Sequence, residues 1–193
     1  MTSDSIPILK LFKKKVLRYQ LKFRLIWIAS LGFIIKETGV DKMGNITGYG
    51  KATQEAVNNF EQYVGFEIPV DYKQFLLGFN GGTTSVQNAK FYVEALDTLV
   101  PLDVLYGLDI DNDQIDLQKI HEEHKEGLHT NCIIIGNDTY AGKILLIDNE
   151  DEQGIYFWDQ GWYADPSSLD ENIYKVAESF QSFIEGLKIP EEI

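Results

Sequence analysis

Several side chains have the type and the spacing for chemistry. Asp109-Ile110-Asp111-Asn112-Asp113 places carboxylates at alternate positions, like the first half of a calcium loop. Such a loop needs glycine at its sixth position and glutamate at its twelfth, and here these are Gln114 and Ile120. An acidic loop that caps the next helix is the expectation. His121-Glu122-Glu123-His124 evokes the zinc motif H-E-x-x-H, but its histidines are three apart instead of four and His129 falls past the helix end. Asp138, Asp148, Glu150 and Asp159 offer carboxylate pairs for acid–base work. No serine or cysteine carries a nucleophile signature, and no glycine-rich phosphate loop is present. The reading is a protein without catalytic residues, metal or cofactor.

The acidic turn is more informative as a surface. Asp148, Glu150, Asp151 and Glu152 precede Trp158, Asp159, Trp162 and Tyr163. Carboxylates beside aromatics make a docking surface for a basic protein. The alternative is that Trp158 packs inward and Trp162 covers the core edge. Asp109, Asp111 and Asp113 form a second candidate surface.

Charge supports a basic partner. Residues 1–51 carry ten Lys/Arg against three Asp/Glu, whereas residues 52–193 carry seven against twenty-seven. A body this acidic repels nucleic acid phosphates and attracts cationic protein surfaces, although acidity also serves plain solubility. The 44% hydrophobic and 24% charged fractions fit a globular chain with one ordinary domain and an appendage. The single cysteine, Cys132, excludes an internal disulfide and sits among isoleucines, as a buried apolar residue does. A reducing, cytoplasmic setting is expected.

Residues 1–42 stand apart as a basic and apolar extension. Lys10 to Arg24 is strongly basic, and the uncharged run Leu25–Ile35 that follows has eleven residues. A membrane span needs about 20. Three readings stay open: a chain that truly starts at Met43, a segment lying on an anionic membrane, and an extra packed helix. Membrane contact, if any, falls to this segment.

The elements that must position the acidic groups follow from periodicity and punctuation. Gly44–Gly50, with three glycines, reads as part of a linker over 43–52. Thr53 caps a helix with Ala56, Phe60, Tyr63 and Val64 on one face, closed by Gly65. Pro69 starts a second, with Asp71 at its positive end and Tyr72, Phe75, Leu76 and Phe79 inward. Asn80-Gly81-Gly82 stops it, since these residues accept left-handed backbone. Phe91–Val93 reads as a strand, and Leu99–Leu108 as another broken by Pro101 and Gly107. Ile115–Leu128 reads as a helix with Leu117, Ile120, His124 and Leu128 on one face. Strands Cys132–Ile135, Lys143–Asp148 and Ile155–Asp159 form an antiparallel meander, its first turn at Gly136-Asn137-Asp138. Ile173–Leu187 reads as a closing helix with Val176, Phe180, Phe183, Ile184 and Leu187 inward. The class is α+β, an antiparallel meander with flanking helices.

The stretch Phe60 to Gly82 resembles the signature of the SUKH superfamily, the Smi/Knr-type family of cell-wall assembly regulators and bacterial immunity proteins. A helix ending in glycine precedes "LP-x-D-Y-K-x-F-L-L-x-x-N-G-G", matched at Pro69, Asp71, Tyr72, Lys73, Phe75, Leu76, Leu77, Asn80, Gly81 and Gly82, with Ile68 for the usual leucine. Tyr106-Gly107-Leu108 is similar to the family's "Y-G-L" strand end. Ile133–Asp148 is similar to its central hairpin, and Gly154–Asp159 to the strand after it. Ala177–Ile184, with Ser179 and Phe180, resembles its terminal "A-x-S-F-x-x-F-L" helix. The resemblance covers residues 53–188 and leaves 189–193 as a tail. It implies a SUKH-like fold and a non-enzymatic protein-binding role. The implied partner is a cognate bacterial toxin, of a kind that is often a nuclease; the acidic charge makes it a basic one and leaves no direct nucleic-acid binding expected. The alternative it implies is an intracellular regulatory module. It brings no catalytic residue, and its signature reads as fold devices.

Overall fold

The computed structural model describes residues 42–43, 46–84, 89–160 and 172–189. Within them, nine strands and four α-helices follow one another. The strands are β1 (Lys42–Met43), β2 (Ile46–Thr47), β3 (Gly82–Thr84), β4 (Lys90–Val93), β5 (Thr98–Leu105), β6 (Cys132–Asp138), β7 (Lys143–Asp148), β8 (Gln153–Trp158) and β9 (Ile173–Ala177). The helices are α1 (Gln54–Val64), α2 (Val70–Phe79), α3 (Leu117–His124) and α4 (Phe180–Glu185). The sheet order is β1-β2-β3-β5-β6-β7-β8-β9, with β4 added against β5 and every pairing antiparallel. This is the α+β class expected.

The first two helices form as their punctuation predicts. Thr53 accepts the Ala56 N–H at 3.0 Å, and Gly65 closes α1 at φ 83°. The buried stripe of α1 is Val57 and Phe60, while Tyr63 is exposed. Pro69 precedes α2, whose Tyr72, Phe75, Leu76 and Phe79 are all buried. From α4, Phe180 packs on Tyr72 and Phe75 with ring centroids 4.9 and 4.7 Å away. Phe183 of α4 reaches Phe91 of β4, and Phe91 meets Phe157 of β8, each at 5.5 Å. Aromatic pairs at such separations add about 0.5–1.5 kcal/mol each beyond the area they bury.

Four expectations need correction. Part of the expected linker is sheet: β2 pairs with β3, Ile46 is fully buried, and the Ala52 N–H donates to Leu76 O. Gly48 is there for close approach, since a Cβ on it would fall 2.5 Å from Phe79 O. Pro101 does not break β5. The Leu102 N–H points to Ala89 O on the β4 side, so alternation turns the Pro101 nitrogen the other way, where β6 pairing begins only at Leu102. Gly136-Asn137-Asp138 lies within β6, which carries an irregularity between Ile134 and Gly136, and the turn follows at 139–142. Finally, 173–187 is not one helix. Ile173, Tyr174 and Val176 are β-branched or aromatic and belong to β9, which pairs with β8 through Ile173, Tyr174, Lys175 and Ala177. The helix starts only after Ser179, which forms a reciprocal capping box with Ser182.

The closing turn of α2 is the main tertiary fixture. Asn80 stands at φ 50°, and its side chain bonds the backbone of Leu108 twice: Nδ2 donates to the Leu108 carbonyl and Oδ1 accepts its N–H, both at 2.8 Å. The two chains meet there without room for side chains. A Cβ on Gly107 would lie 2.2 Å from Asn80 O, and one on Gly81 would lie 2.7 Å from Gly107 N. Asn80→Ala strips both bonds from the buried Leu108 backbone and replaces a residue that tolerates left-handed backbone with one that does not. It is expected to cost about 2–4 kcal/mol, read as a lower urea midpoint of the full chain.

Candidate partner-binding surface

The signature residues are spent on the frame. Asp71 Oδ1 accepts the Tyr72 N–H at 2.8 Å, and its Oδ2 accepts the Gln181 N–H of α4 at 2.9 Å. One carboxylate therefore joins the beginnings of two helices 110 residues apart. Tyr72 is fully buried and its hydroxyl has no partner among the described residues, so burial raises its pKa.

The clamp at Leu108 also roots the first acidic loop. Asp109 follows at φ 53°, the Ile110 N–H donates to Asp116 Oδ2, and Asn112 Oδ1 accepts the Gln114 N–H. Asp116, the N-cap of α3, takes the Lys119 N–H on its other oxygen at 3.0 Å. Asp109, Asp111 and Asp113 are held outward and exposed on this frame. The expected helix here is shorter than 115–128: α3 is followed by a 3-10 turn at Lys125–Gly127. It buries His121 rather than His124. His121 sits edge-on to Phe60 and Tyr63, its Nδ1 has no partner among the described residues, and burial, then Lys125, lower its pKa. His124 Nδ1 lies 2.9 Å from Ile120 O, so the two histidines face different partners. Among the described residues no three His, Cys, Asp or Glu groups converge as metal ligands would.

The second acidic segment is the β7–β8 turn. Asn149 Oδ1 accepts the N–H groups of Asp151 and Glu152, which points Glu150, Asp151 and Glu152 into solvent. Asp148 is half-buried, and Asn131 braces the strand end by donating to its carbonyl. β5 runs antiparallel to β6, and Cys132 pairs with Ile147. The end of β5 and the acidic turn therefore issue from the same end of the sheet. The structure brings the two acidic segments to one end.

The aromatic half of the expected patch is not there. Trp158 pairs with Lys143 at the far end of β8, five residues from Gln153, or about 17 Å along the strand. It is half-buried beside a cavity of about 230 Å³ with Leu128, Cys132, Leu145 and Ile173. Sequence proximity misled because the strand between carries the two apart. Burial, then Glu152, pushes the Cys132 thiol up to about 12, so it remains an inert thiol. Asp159 is fully buried, and its N–H donates to Asn172 O, so it is no part of an exposed surface. Trp162 and Tyr163 lie outside the described residues. Sequence reasoning missed Gln153, Gly154 and Glu178 and read Ser179 only as part of the family signature; all four line a groove with Asp148. No motif links positions so far apart.

Asp138 is also structural. Its Oδ1 accepts the Tyr140 and Gly142 N–H groups at 2.9 Å, while Oδ2 is buried without a partner among the described residues. Burial raises its pKa, three backbone N–H groups oppose this, and Asp159 adds to the rise.

The SMI1 / KNR4 family (SUKH-1) model matches residues 51–186 of the chain. No curated protein matches it.

The Asp138 carboxyl gives a pH prediction. Its folded pKa lies above the ordinary 3.8, so the folded state holds the proton more tightly than the unfolded chain. The protonated carboxyl's contribution is complete below that value and is lost as pH rises through the folded one. Asp138→Asn removes this loss. Urea midpoints of wild type minus variant are expected to fall as pH rises from about 3.8 into the neutral range.

Proposed function

Because the chain belongs to the SMI1/KNR4 family (SUKH-1), we propose that it is a non-enzymatic immunity protein that captures and neutralises a basic bacterial toxin in the cytoplasm. The observation that carries this reading is the presentation of Asp109, Asp111, Asp113, Glu150, Asp151 and Glu152, all exposed, from one end of a braced sheet. Rigid loops lose little entropy on binding, and clustered carboxylates speed the encounter with a cationic surface. A nuclease fits as the target, because it must itself present cations to phosphates. Covering those cations blocks its substrate. Among the described residues no helix is long and apolar enough to cross a membrane. Family membership also supports an intracellular regulatory module of the cell-wall assembly kind, and the partner distinguishes the two.

The test is co-expression of the full chain with the product of the adjacent upstream gene, followed by size-exclusion chromatography. Stable co-elution is expected, with affinity falling about tenfold or more between roughly 50 and 500 mM salt. Replacing Asp109, Asp111 and Asp113 with Asn is expected to slow association about tenfold while leaving the melting temperature unchanged. A folded chain that elutes alone at both salt concentrations favours the regulatory reading.

A further inference from the structure

Asn80 precedes Gly81, and this is the one Asn-Gly step in the chain; every other asparagine precedes a residue with a side chain. An asparagine side-chain amide is chemically labile, because the backbone nitrogen of the following residue can attack Cγ and close a five-membered imide. Glycine in that following place leaves the nitrogen unhindered and the backbone free to turn onto Cγ.

In the folded chain this reaction has no path. At ψ 56° the tetrahedral geometry of the Asn80 Cα sets the Gly81 nitrogen opposite Cβ, out of reach of Cγ. Nδ2 and Oδ1 are both held by the Leu108 backbone at 2.8 Å, so Cγ cannot swing round. The Gly81 peptide is equally fixed, since a Cβ on Gly81 would lie 2.7 Å from both Gly107 N and Leu105 O. Asn80 is 6% exposed, so solvent base has little access. Closing the ring takes half a turn about the Cα–C bond, which pulls Gly81 and Gly82 out of their place between α2 and β3.

We propose that Asn80-Gly81 is a spontaneous modification site that folding shuts, so that a chain left unfolded loses the clamp for good. The steps balance with water as the only co-reactant. The Gly81 N–H gives its proton to solvent base, its nitrogen bonds to Asn80 Cγ, and Nδ2 leaves as ammonia with a proton from solvent. Water then adds to one of the two imide carbonyls and breaks that carbon's bond to the Gly81 nitrogen. Opening at Cγ leaves an aspartate. Opening at the backbone carbonyl carbon leaves an isoaspartate, with the main chain running through Cβ. Neither product rebuilds the clamp. Aspartate sets an oxygen against the Leu108 carbonyl in place of the Nδ2 donor, and it buries a charge where water does not reach. Isoaspartate lengthens the main chain by a methylene where Asn80 O already lies too close to Gly107 to admit a Cβ. The residue that joins helix, sheet and loop is thus the one that time in the unfolded state destroys.

The experiment incubates the full chain at mildly alkaline pH, native and in denaturing urea, and reads the amide-to-acid mass gain at each asparagine by peptide mass spectrometry. In urea, Asn80 is expected to convert about tenfold faster than Asn88, Asn112 or Asn149. In the native chain its conversion is expected to slow about a hundredfold or more, since only the open fraction reacts. Gly81→Ala, held in urea where folding is not needed, is expected to slow the Asn80 conversion about tenfold. After dilution out of urea, chains modified at Asn80 should be missing from the pool that regains protease resistance, while unmodified chains of the same sample enter it. Equal rates at Asn80 in native and unfolded chain would overturn the shielding. Conversion in urea spread evenly over the asparagines, or unchanged by Gly81→Ala, would overturn the site. Modified chains recovered in the resistant pool would overturn the loss of the clamp, as would an Asn80→Asp variant with the wild-type urea midpoint.

Discussion

The structure turns on a side chain that behaves as backbone. Asn80 offers Leu108 one donor and one acceptor at 2.8 Å, which is what a neighbouring strand would offer. Left-handed backbone at Asn80 ends α2 and turns the chain into β3, which pairs with β5. The same residue holds the exit of β5. One position thus joins the helical layer, the sheet and the root of the first acidic loop. Gly81 and Gly107 follow from it, because two backbones this close leave no room for a Cβ. Leu108 is almost fully buried, so its amide and carbonyl cannot turn to water if the asparagine is lost.

Asp71 and Ser179 extend the same economy to the other side of the molecule. Asp71 serves α2 and α4 together, and Ser179 starts α4 after β9 ends. Of the polar signature residues, Asp71, Asn80 and Ser179 are taken up by backbone groups and Lys73 by Glu61 and Glu67, while the aromatic ones go to the core. What remains at the periphery are loops braced at their roots with carboxylates facing outward. Such a division lets one frame carry different binding surfaces, because loop side chains change without touching the clamp.

Much of this was legible in the sequence, for identifiable reasons. Thr53, Gly65, Pro69 and Asn80-Gly81-Gly82 are local devices whose chemistry works within a few residues, and they punctuate α1 and α2 as read. The meander of β6, β7 and β8 was legible from its apolar runs. The closing segment was not. Ile173, Val176, Phe180 and Phe183 fit a helical stripe, and only pairing with β8 decides for strand up to Ala177. Tertiary pairing overrides periodicity there. The candidate surface was half legible. The exposed carboxylates are where their turn residues put them, but Trp158 and Asp159 looked near the acidic turn only because the chain is read in one dimension. The groove had no signal at all, since Pro69, Asp148 and Glu178 come together only through the fold.

The Asn80 clamp is part of the global fold and not a local ornament. Native-state amide hydrogen exchange of the full chain, with Leu108 followed individually, tests it most directly. The Leu108 amide is expected to exchange only through global unfolding, with the same free energy and urea dependence as the core amides of β6 and β7. A Leu108 amide that exchanges rapidly and without urea dependence, while the β6 and β7 amides stay protected, would contradict it.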